Sequence, residues 1–158
     1  MSMTTRLTRD CAFSELKPEL LAAIHQHIEK YQLGDIEATQ PVCFETTSTG
    51  KKTGLFSYGE EITVTGMLLT SQFLLWTKGK KSGKPVVMSA LLRNINVQDF
   101  EDTAMYRVKP DSGMNITGRY TDVTKQGQSF IAVGMDPAGE KFRHMLQHAV
   151  QKGQNPER

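Results

Sequence analysis

The stretch Ile62-Thr63-Val64-Thr65-Gly66-Met67-Leu68-Leu69, followed after Thr70-Ser71-Gln72 by Phe73-Leu74-Leu75-Trp76-Thr77, decides the fold class of this chain. Ile62, Val64, Gly66 and Leu68 alternate with Thr63, Thr65, Met67 and Leu69, the period at which a β-strand turns side chains to opposite faces. The second run is short, apolar and aromatic, as strands are. A turn this short joins strands as an antiparallel hairpin, because a parallel pair needs a crossover of a dozen residues or more.

Further strands follow on both sides. Val42–Thr47 reads as a strand before the hairpin, with Ser48–Gly54 as a basic loop. Lys78–Pro85 reads as a loop with four lysines, and Val86–Met88 as a fourth strand. Leu91-Leu92 and Ile95–Val97 carry the apolar signal on less regularly. Met105–Val108 is read as a fifth strand, and Pro110-Asp111-Ser112-Gly113 is turn chemistry. Met114, Ile116, Gly118 and Tyr120 alternate along a sixth strand, Gln126-Gly127 turns, and Phe130–Val133 is a seventh. Helices flank this series. Pro18 suits a first helical position, and Leu20, Leu21, Ile24, Ile28 and Tyr31 form an apolar stripe before Gly34. At the other end Asp136 can cap a helix that opens with Pro137 and carries Phe142, Met145, Leu146, Ala149 and Val150 on one side. The expected organisation is a tail and amphipathic helix over 1–35, a barrel-like unit with its terminal helix over 36–152, and a polar tail over 153–158. Residues 1–13 show no periodic signal.

The chain has 158 residues, 38% hydrophobic and 23% charged, with a formal net charge of +2. That is one globular domain's worth of sequence, without polyelectrolyte character. No apolar leader follows Met1 and no apolar run approaches the ~20 residues of a membrane span, so the cytoplasm is the expected location. Cys11 and Cys43 are expected as free thiols. The charge is segregated: residues 51–93 hold seven basic residues against two acidic ones, a net +5, so the remainder carries −3.

Catalytic and metal chemistry finds little support in this pattern. His144 and His148 have i, i+4 spacing but no third ligand nearby, and His25 and His27 splay apart on a helix. Asp99, Glu101 and Asp102 lack a calcium-loop pattern and read as a solvated turn. Phosphate-loop, dinucleotide and nucleophile-elbow motifs are absent. No catalytic residue, metal or cofactor is therefore expected, and no nucleic acid. The basic segments stand out instead: Lys51 and Lys52 in one turn, and Lys78, Lys80, Lys81 and Lys84 in another.

Seven consecutive antiparallel strands and then one amphipathic helix resemble the bacterial pleckstrin-homology-like (PH/GRAM-like) domains. The segments carrying the resemblance are Gly59-Glu60-Glu61-Ile62 through Leu68-Leu69-Thr70 to Trp76, and Ser89-Ala90-Leu91-Leu92-Arg93-Asn94-Ile95, which lacks the family's proline. The resemblance implies a mainly β fold with α, a curved seven-stranded sheet or half-open barrel capped by the C-terminal helix. The N-terminal helix is an addition, placed outside the sheet or on a second subunit. The resemblance also implies that the two lysine-bearing turns share one open end. The expected function is a non-catalytic interaction module that binds a protein partner. The alternative is peripheral binding of anionic lipid or phosphate through those lysines, and a second alternative is an enzyme of unassigned type. A homo-oligomer is compatible with all three.

Overall fold

The computed structural model describes residues 4–51, 59–81, 83–121 and 126–155. The chain begins with strand β1 (Thr5–Cys11), then helix α1 (Pro18–Lys30). Four strands follow: β2 (Val42–Lys51), β3 (Glu60–Leu69), β4 (Phe73–Lys81) and β5 (Lys84–Leu91). A second series comprises β6 (Ile95–Asp99), the short helix α2 (Met105–Val108), β7 (Gly113–Arg119) and β8 (Gln126–Ala132), closed by helix α3 (Pro137–Gln154). The strands form two antiparallel sheets, β1-β2-β3-β4-β5 and β6-β7-β8.

Alternation along β2, β3 and β4 gives the five-stranded sheet two buried faces. Phe44, Met67, Leu69, Leu74, Trp76 and Ala90 face the main core, where they meet Ile95, Met114, Ile116 and Ile131 of the second sheet and Phe142, Leu146 and Val150 of α3. Phe142 packs edge-on to Phe44, with centroids 5.3 Å apart, and Trp76 likewise to Tyr120. Cys43, Leu68 and Leu75 face the other way, under Leu16, Ile24 and Ile36. The amphipathic stripe of α1 is thus buried on the outside of the sheet, the first of the two placements its sequence allows. Both helices open on proline, and Asp136 accepts the Gly139 N–H at 2.9 Å as the cap of α3.

Several expectations need correction. Residues 1–13, read as a tail, contain β1, which pairs in register with β2 from Thr5↔Thr49 to Cys11↔Cys43. Its anchoring is polar and leaves no apolar period: Thr8 Oγ1 bonds Thr46 Oγ1, Asp136 accepts the Thr8 N–H, and Arg6 donates to both Asp111 carboxylate oxygens. Met105–Val108, read as a strand, is α2. The β6 and β7 strands pair with each other directly, so 100–112 is an excursion in which local bonds such as Lys109 N–H to Met105 O satisfy the backbone. A short apolar run does not discriminate strand from helix without a neighbour. The irregular signal at Ile95–Val97 is a true strand, β6, which begins the second sheet. Among the described residues the strands number eight, and the sheets do not close into a barrel. The basic "loops" are largely strand: β2 runs on through Lys51, and the β4–β5 hairpin is paired as far as Lys81↔Lys84.

Candidate functional site at the hairpin end of the five-stranded sheet

Antiparallel order fixes where the lysines go. β2 ends at Lys51 opposite Glu60, β4 ends at Lys81 opposite Lys84, and both turns lie at the same end of the sheet. Lys78 and Lys84 are exposed there. Lys52 and the side chains of Lys51, Lys80 and Lys81 lie outside the described residues. The two hairpins stop pairing toward this end. β3 and β4 share only Met67–Leu69 against Leu74–Trp76, after which the Gly66 N–H goes to Thr77 Oγ1 at 2.8 Å. The ladder of β4 with β5 shifts register between Lys78 and Lys80, where Gly79 has a φ of +51° that a side chain would resist.

What the fold brings to Lys84 comes from α1. A cleft of about 460 Å³ runs between α1 and β5. Its floor includes Ala22, Ala23, Val86 and Val87, and Gln26, Lys30, Tyr31 and Lys84 also line it. Lys30 Nζ lies 5.2 Å from the Tyr31 ring centroid, within cation–π range. His27 lies deeper, 7% exposed, with Nε2 2.7 Å from Ser89 Oγ and its ring 4.6 Å from that of Tyr31. Burial of His27 was legible in principle: it sits seven residues after Leu20 and three after Ile24, on the apolar side of the helix. The His–Ser pair is not a nucleophilic dyad open to substrate, because Ser89 is wholly buried beneath α1.

Two other cavities differ in character. One of about 530 Å³ lies on the outer face of the second sheet and is lined by uncharged residues, among them the polar Asn96, Gln98, Asn115 and Gln128 together with Val97 and Met105. Another of about 480 Å³ lies between α3 and the start of β2, over Val42, Leu69, Met145 and Ala149.

The acidic cluster read as a solvated turn has a structural job. Arg143 of α3 is 3% exposed and donates to Glu101 at 2.5 Å and pairs with Asp99 at 3.1 Å. Burial opposes its charge, but the bond to Glu101 and the charges of Glu101 and Asp99 outweigh that and raise its pKa. Sequence spacing could not find this pairing, since more than forty residues separate the partners. Cys11 and Cys43 stand opposite each other in the β1–β2 ladder as free thiols. Burial pushes the Cys43 thiol up to about 12 and raises that of Cys11, so neither supplies thiolate for nucleophilic chemistry near neutrality. His144 and His148 are exposed, and among the described residues no three His, Cys, Asp or Glu side chains cluster as metal ligands. No helix among the described residues is long and apolar enough to cross a membrane.

No protein-family model, curated protein or solved structure matches this chain.

Proposed function

We propose that the chain is a non-catalytic interaction module of PH-like architecture whose hairpin end receives a protein partner. The run of β2–β5, then β6–β8, then α3 supports the PH-like reading: four strands, three strands and a terminal helix, with β1 and α1 as additions. One observation carries the partner reading. Among the described residues, the sheet face that α1 covers at Leu68 and Leu75 continues uncovered toward the hairpin end, in the register rows Leu7–Thr47–Val64 and Thr49–Ile62. Leu7 and Ile62 are each 62% exposed on it. Apolar side chains grouped on one face beside basic residues fit a protein surface with an apolar centre and an acidic rim. Leu7→Lys/Ile62→Lys should leave the thermal midpoint unchanged and release a protein that the wild type retains in affinity capture. Retention of the same proteins by the variant refutes the reading.

The second reading is an anionic lipid or phosphate ligand. The placement of both lysine-bearing turns at one end of the sheet favours it, since each cation near an anionic surface contributes about 1 kcal/mol. Co-sedimentation with anionic vesicles at low salt, lost when Lys78, Lys80, Lys81 and Lys84 are changed to Ser, would support it. Equal sedimentation of that variant would refute it.

A further inference from the structure

We propose that the cleft between α1 and β5 is a binding site for a phosphomonoester carried on a compact body of ring size. The proposal rests on the anionic reading above but moves its centre from the turns into the cleft, and it draws in α1, which the PH-like unit does not require. A volume of about 460 Å³ lies in the range of small-molecule sites, and such sites combine an apolar lining with a few convergent polar groups. Here the lining of Ala22, Ala23, Pro85, Val86 and Val87 would seat the body of the ligand.

The polar groups select the head. Lys30 comes from the last turn of α1 and Lys84 from the first residue of β5, so two cations from different elements meet at one cleft. Neither has an ion-pair partner among the described residues. Glu19, the one acid among the described residues that line the cleft, is itself engaged in an interaction. Tyr31 and Gln26, which also line the cleft, carry neutral donors. A phosphomonoester carries about −1.5 to −2 charges and three acceptor oxygens at neutral pH, which suits two ammonium groups and two neutral donors. A carboxylate offers one charge and two oxygens and would leave part of this set unused. The helical spacing of residues 19, 22, 23, 26 and 30 explains why one face of α1 supplies its whole side of the cleft.

The test is titration of the full chain with AMP, with inorganic phosphate, and with vesicles containing phosphatidic acid, followed by calorimetry or amide chemical shifts. Wild type is compared with Lys30→Gln/Lys84→Gln and with Lys78→Gln, an exposed lysine of the same sheet end outside the cleft. Saturable binding of AMP, weakened roughly a hundredfold in the double variant at about tenfold per charged hydrogen bond, supports a soluble ligand. Vesicle binding alone, with the same loss, supports a lipid phosphomonoester. Lys78→Gln should bind AMP like wild type and should lose less vesicle binding than the double variant. The proposal is overturned if no arm binds at roughly 10 mM, or if the double variant binds equally well. Loss in Lys78→Gln that matches loss in the double variant also overturns it and leaves the diffuse lysine rim standing.

Discussion

Replacing Arg143 with methionine should cost about 3 kcal/mol of stability. The guanidinium is the hub between α3 and the 99–113 segment. Besides Glu101 and Asp99 it reaches Ser112 Oγ at 3.3 Å and the Val133 carbonyl at 3.4 Å, and Glu101 in turn accepts the Gly113 N–H at 3.0 Å. Breaking a fully buried pair by removing one partner costs about 3–5 kcal/mol, because the other charge is left uncompensated. The Asp99 and Glu101 side chains remain 28% and 21% exposed, so water recovers part of that, which sets the estimate at the lower end. Methionine fills most of the vacated volume, so little of the loss is a cavity. For a chain of this length about 3 kcal/mol corresponds to a fall in Tm of roughly 6–12 °C. Urea denaturation at 0.1 M and 1 M NaCl gives the assay. A screened surface pair would lose its contribution at 1 M, whereas this one should keep most of it. In a cycle with Glu101→Gln the coupling should be about 1–2 kcal/mol. A loss under about 1 kcal/mol, or one that vanishes in high salt, would show that the network does not hold α3 in place.

Asp136→Ala should cost about 2 kcal/mol by chemical denaturation, more than an ordinary helix cap. Its two carboxylate oxygens accept from Gly139 of α3 and from Thr8 of β1, so one substitution orphans a donor in each element; a cost of a few tenths would refute the double role. Stability should also decline from about pH 9 to pH 12. Cys43 and Tyr120 are both pushed up to about 12, chiefly by burial, so between the unfolded and folded values the unfolded chain releases protons that the folded chain retains. The slope is therefore negative with rising pH, with an upper limit of about 4 kcal/mol for the thiol and about 3 kcal/mol for the phenol. Cys43→Ala should flatten the decline between pH 9 and 11, and an unchanged profile would remove the thiol from the account.

The sequence by itself determined the parts that local chemistry dictates. The period-two run at Ile62–Leu69 and the apolar run at Phe73–Trp76 became β3 and β4. Pro18 and the Asp136-Pro137 pair marked where α1 and α3 begin. Leu20, Ile24, Phe142, Leu146 and Val150 became core because helical spacing alone puts them on one side. The tertiary structure decided whatever depends on a distant partner. β1 is a strand because Thr46, Asp111 and Asp136 answer its polar groups, and such bonds leave no hydrophobic period to read. Met105–Val108 is helical because β6 and β7 pair directly with each other and the excursion between them satisfies its backbone locally, as in the bond from Lys109 N–H to Met105 O. The acids at Asp99 and Glu101 are an anchor and not a solvated turn, because α3 delivers Arg143 to them. The lysines at the hairpin end were visible as charge along the chain. That Lys84 shares a cleft with Lys30 and Tyr31 follows only from α1 packing across β5, a long-range contact that residue spacing does not encode.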